Sequence, residues 1–172
     1  MSAETKPIDV YHAIQADEIA KAIELLDKNH QLFNAKTPFG SWLHVAASGG
    51  HLDLAVWLLE KGIDIDEPCG TFGGNALNYA ASYGKIDVVR LLLERGSTMD
   101  VSEPERNPLF SAIYGGHKEV AKVLLDEGID FRVKYSGKSM KNMDAKAFAY
   151  ERGQSELVEI LDGYETMSRR AI

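Results

Sequence analysis

The sequence predicts an all-α solenoid of about five helix-turn-helix repeats joined by short hairpin fingers. Three observations carry that expectation. A glycine recurs at Gly50, Gly84, Gly116 and Gly153, at spacings of 34, 32 and 37 residues. Around it the same apolar positions return: Leu43, Leu77 and Leu109; Ala46, Ala80, Ala112 and Ala149; Leu54, Val88, Val120 and Leu157; Leu58, Leu92, Leu124 and Leu161. Each helical segment is too short to be stable alone in water, so every unit needs neighbours of its own kind. A period in the low thirties, with two helices and a turn, is the signature of a stacked repeat.

Residues 1–7 are polar and are expected to fray. Residues 8–34 read as a divergent first repeat, with Val10 at the Leu43 position, Ala13 at the Ala46 position and Asp17 at the Gly50 position. Its second helix is expected over 18–28, with Ala22 and Leu25 in core register. Lys21 and Glu24 stand where the next repeat has Leu54 and Trp57, which suits a solenoid end facing water. Asn29 replaces the terminating glycine and is expected to be left-handed. The remaining repeats fall at about 35–66, 67–100, 101–130 and 131–162. In the second, Gly49-Gly50 stops one helix and Gly62 the other, since glycine takes positive φ at low cost. Trp57 lies in core register and is assigned to packing. Pro38 and Gly40 mark the first finger, and Pro68, Gly70, Gly73 and Gly74 the second. In the last repeat Lys146 replaces the buried leucine and Asp162 stands at the Leu59 position, which again suggests a cap. Residues 163–172 are expected to be a polar, disordered tail.

The segments SWLHVAASGGH, NALNYAASYGK and NPLFSAIYGGH resemble the ankyrin TPLHxAxxxGH motif. LDLAVWLLEKGIDI, IDVVRLLLERGSTM and KEVAKVLLDEGIDF resemble its second half. The resemblance spans residues 5–162 as one ankyrin-repeat domain. It implies first helices along a concave face, second helices along a convex back, and fingers projecting on one side. It also implies structural histidines: His44, His51 and His117 are expected to bond backbone groups around the turns and fingers.

Composition narrows the function. No apolar run is long enough to span a membrane, and the N-terminal residues do not read as a secretory signal. Cys69 is the single cysteine, so a reducing compartment fits, and a cytoplasmic location is expected. The formal charge of −7 argues against nonspecific nucleic-acid binding. The fourth finger, residues 131–143, holds Arg132, Lys134, Lys138 and Lys141 and no acid, leaving about −11 on the rest of the chain. No HExxH, CxxC or phosphate-cradling loop is present. Ser41, Ser48, Ser82 and Ser111 lack the context of a nucleophile elbow. An enzyme is not expected, nor a cofactor or small-molecule substrate.

What remains is a surface for a folded partner protein. The resemblance places the variable positions at the finger tips and in the two residues before each turn glycine. The candidates are Tyr83 and Tyr114 above all, then Tyr79, Phe110 and Trp42 on first helices, Phe39 and Phe72 in fingers, and Arg106 and Arg152. Tyr, Trp and Arg dominate interface hot spots. A second resemblance, of RNPLFSAIYGGH and SMKNMDAKAFAYERGQ to bacterial ankyrin proteins encoded beside polymorphic toxins, implies an immunity protein that blocks a toxin domain. A general adaptor or regulatory scaffold is the competing reading.

Overall fold

The computed structural model describes residues 5–70, 73–137 and 140–170, without the side chains of 169 and 170. Among the described residues are eleven α-helices: α1 Pro7–Gln15, α2 Ile19–Lys28, α3 His30–Phe33, α4 Trp42–Gly49, α5 Leu52–Glu60, α6 Ala76–Ser82, α7 Ile86–Glu94, α8 Pro108–Gly115, α9 Lys118–Asp126, α10 Ala145–Glu151 and α11 Ser155–Arg170. They pair as α1–α2, α4–α5, α6–α7, α8–α9 and α10–α11, with α3 a single extra turn. First helices touch in the order α4, α6, α8, α10, and second helices in the order α2, α5, α7, α9, α11. The chain is thus an all-α solenoid of five helix pairs.

Local chemistry starts and stops each pair. Ser41, Asn75, Asn107 and Asp144 stand in extended backbone immediately before α4, α6, α8 and α10. The side chains of Asn75, Asn107 and Asp144 accept from free N–H groups of the first turn, as N-cap residues do. The first helix ends at the recurrent glycine, at φ +81° for Gly50 and +67° for Gly84. A Cβ on Gly84 would also lie 2.5 Å from the His117 ring, so the turn needs glycine for conformation and for space. In the first repeat Asp17 takes this left-handed position at φ +58°. Asn29 does not: its φ is −129°, and the chain passes directly into α3.

The repeated apolar set forms one continuous core. Every residue of the Leu43, Ala46, Leu54 and Leu58 series named above is buried. In the first repeat Val10, Ala13 and Ala22 are buried in the expected register, and only the leucine position shifts. Ala22 and Leu26 are buried, an i, i+4 pair on α2, whereas Leu25 is half-buried. On the open flank Lys21 pairs with Glu18 at 2.6 Å and Glu24 with Lys28 at 2.5 Å. Trp57 packs edge-on against Phe33 at 6.0 Å.

The C-terminal end departs from expectation. Residues 163–170 continue α11 instead of fraying. Lys146, the substitute for a buried leucine, reaches across to Asp162 and to Glu165 at 3.7 Å. Tyr164 donates to Asp126 at the end of α9, and this hydrogen bond pushes its hydroxyl up to about 12. These ties hold the extra turns where their own composition would not.

The first, second and fourth fingers are closed by isolated bridges, Thr37 with Gly40, Cys69 with Gly74 and Tyr135 with Met143. Asp66 binds the second finger to the third, accepting from Asn75, Ser97 and Thr98 at 2.9 Å each. Tyr135 in the fourth finger is buried, donating to Val101 O at 2.7 Å and accepting from Asn107 at 2.9 Å. Only part of that basic finger is therefore solvated. Arg132 and Lys134 lie 3.8 and 4.0 Å from Asp130 and Asp144, and Lys138 falls outside the described residues.

Candidate partner-binding groove

Two neighbouring compartments lie between the fingers and the ends of α6 and α8. One, of about 210 Å³, is lined by Cys69, Gly70, Gly74, Tyr79, Tyr83 and Glu105, among others. The next, of about 340 Å³, is lined chiefly by Pro104, Phe110, Ser111, Tyr114, Met140 and Phe148. Asn78, Ser82 and Glu105 border both, so the two form one groove crossing two repeats. Tyr83 and Tyr114 stand on it with 59% and 63% of their surface exposed. Tyr83 caps α6 immediately before its turn glycine, and Tyr114 is in the last turn of α8. The Arg152 guanidinium lies over the Tyr114 ring at 4.2 Å and over Phe148 at 5.6 Å, a cation–π arrangement.

The other predicted residues separate. Trp42 is fully buried, its indole N–H donating to Leu32 O at 2.7 Å. At the first position of α4 it fills the space against the preceding repeat, so it belongs to the core and not to the groove. Phe110 is 3% exposed, stacked on Phe148 at 4.8 Å and edge-on to Tyr135 at 4.9 Å. It forms the floor of the larger compartment beneath the fingers, with little of its surface exposed. Tyr79 is half-buried, edge-on to His44 at 5.0 Å. Phe39, 52% exposed, stacks on Tyr11 at 5.2 Å in a separate compartment of about 360 Å³ beside α1. Arg106 turns back to Asp100 at 3.4 Å. Phe72 lies outside the described residues.

Tyr11, Phe148 and Glu105 are among the lining residues that were not anticipated. Tyr11 follows Val10 as His44 follows Leu43, and Phe148 precedes Ala149 as Val45 precedes Ala46. Repeat alignment alone could have flagged both. Glu105 carries no such signal, because the third finger has no counterpart of fixed length.

The histidines hold the frame. His44 accepts from Ser41 Oγ at 2.9 Å and donates to Gly74 O at 3.2 Å, with the tautomer set by these partners. Burial pushes its pKa down. His117 donates to Ser82 O at 3.0 Å, and Gln154, at the matching position, donates to Ile113 O at 2.6 Å. His51 instead meets the Asp17 carboxylate at 3.4 Å. Among the described residues no group of three or more His, Cys, Asp or Glu could hold a metal ion. No helix there is long and apolar enough to cross a membrane.

A stack of helix pairs that leaves an open groove beneath its loops defines a repeat solenoid whose working feature is a surface. The family model for ankyrin repeats, in three copies, matches residues 43–135, and the chain belongs to the ankyrin-repeat family. Ankyrin repeats generally mediate protein–protein interaction, and proteins built from them are typically non-enzymatic. A comparison with curated proteins finds no match.

Proposed function

We propose that this protein grips a folded partner protein in the groove between its first helices and fingers, with Tyr83 and Tyr114 as the central anchors. The observation that carries the reading is the exposure of these two rings at the ends of adjacent first helices, on either side of Glu105. Each offers a large amphipathic contact at little rotamer cost. Neither is needed by the core, so a role in binding accounts for aromatic residues that folding does not require.

Site-specific photocrosslinking tests this directly. A crosslinking amino acid at position 83 or 114 should capture one discrete protein from cells that make the chain. The same group at Arg90, exposed on α7, should not. Capture from position 90 alone would move the interface to the second helices. Within this reading an immunity role is favoured by the formal charge of −7, which complements a basic toxin domain. It predicts that an equimolar amount of the protein abolishes the captured partner's activity, whereas an adaptor leaves that activity intact.

A further inference from the structure

We propose that the smaller compartment, between the second finger and α6, takes a lysine or arginine side chain presented by the partner. This rests on the groove reading and adds the chemistry of one occupant. The volume, about 210 Å³, lies below that of small-molecule sites and suits a single side chain. Tyr79 and Tyr83 line it from α6, and Glu105 borders it from the third finger. The second finger supplies bare backbone: a Cβ at Gly70, which stands at φ +69°, would lie 2.9 Å from Tyr79 Oη. Glycine there leaves the hydroxyl its room.

The charges select the occupant. Arg106, next to Glu105, is drawn away to Asp100 at 3.4 Å. Among the described residues no cation pairs with the Glu105 carboxylate. Aromatic faces are negative and attract a cation, and a carboxylate beside them accepts charge-assisted hydrogen bonds from it. An acidic side chain would meet Glu105 with like charge. An apolar one would desolvate the carboxylate and the hydroxyls without partners. At the other end of the groove the sign reverses, since Arg152 lies over Tyr114. The preference for a cation is therefore local to the Tyr83 end.

The probe is N-acetylarginine amide, titrated into the full chain at low salt and followed by backbone NMR, with N-acetylnorleucine amide beside it. The arginine compound should shift Gly70, Tyr79, Tyr83 and Glu105 saturably, at a midpoint on the order of ten millimolar. The norleucine compound should not. Glu105→Gln should weaken the effect about tenfold, the scale of one lost charged partner. Glu94→Gln, exposed at the end of α7, should leave it unchanged. Absence of saturable shifts, equal shifts with norleucine, or an equal loss in Glu94→Gln would each overturn the proposal. Crosslinking from positions 83 and 114 without an arginine effect would leave the groove reading standing and remove this one. Failure of that crosslinking would remove the groove reading itself.

Discussion

Trp42 and Phe110 differ from Tyr83 and Tyr114 less in chemistry than in where they stand on a first helix. Trp42 and Phe110 lie in the first turn, beneath or behind the fingers, and are buried. Tyr83 and Tyr114 lie at the last turn, beside the turn glycines, and are exposed. An aromatic ring at the start of a first helix is recruited by the stack, and one at its end stays exposed. Tyr79, midway along α6, is correspondingly half-buried.

The sharpest way to break this contrast is to shorten one member of each class. Trp42→Ala removes a fully buried ring and its hydrogen bond to Leu32 O, and should cost about 3–5 kcal/mol in denaturant unfolding. Tyr83→Ala should stay within about 0.5 kcal/mol, as at a surface site. Comparable losses in both would erase the distinction between start and end.

A smaller effect tests a tyrosine of a third kind. Tyr164 is half-buried on the C-terminal extension and bonded to Asp126. Tyr164→Phe keeps the ring and removes the donor, and should lower stability by about 1 kcal/mol. No change would mean that the last turns of α11 are not tied to α9.

The smallest effect concerns the polar frame beneath the groove. Burial lowers the His44 pKa in the folded chain, so the unfolded chain binds more protons below the ordinary histidine value. This contribution to stability is full above the unfolded pKa and is lost as pH falls through it towards the folded value. The drop in melting temperature between pH 7 and pH 5 should therefore be smaller in His44→Asn than in the parent; asparagine already fills the matching position at Asn78. An equal drop in both would mean that His44 does not contribute to the pH dependence.

Legibility in the sequence followed the same division. The helix pairs and their buried leucines and alanines were readable because each position recurs at one period and answers to one physical demand. The failures lie where the period gives no guidance. Leu26 takes the buried place of Leu25 in the first repeat, where α2 packs on α1 and α5 and carries exposed Lys21 and Glu24 instead of the apolar stripe of the later repeats. Residues 163–170 are helical because Tyr164 and Lys146 find partners distant in sequence, which local composition cannot show. Trp42 was counted with the groove although it is core, and Phe110 is the groove's buried floor, because being aromatic and near the motif does not separate core from surface. Burial does, and it depends on what the neighbouring repeat puts opposite. Glu105 was missed for a related reason: its place at the groove follows from the path of the third finger and from Arg106 pairing with Asp100.

The central claim is that Tyr83 and Tyr114 bind and do not build. The direct measurement is calorimetric titration of the crosslinked partner, once purified, with Tyr83→Ala and Tyr114→Ala, each variant also melted alone. Each should melt like the parent and bind about 2 kcal/mol more weakly, roughly thirtyfold in affinity. Variants that bind like the parent would place the partner on the fingers or the second helices, and variants that melt far lower would return both rings to the core.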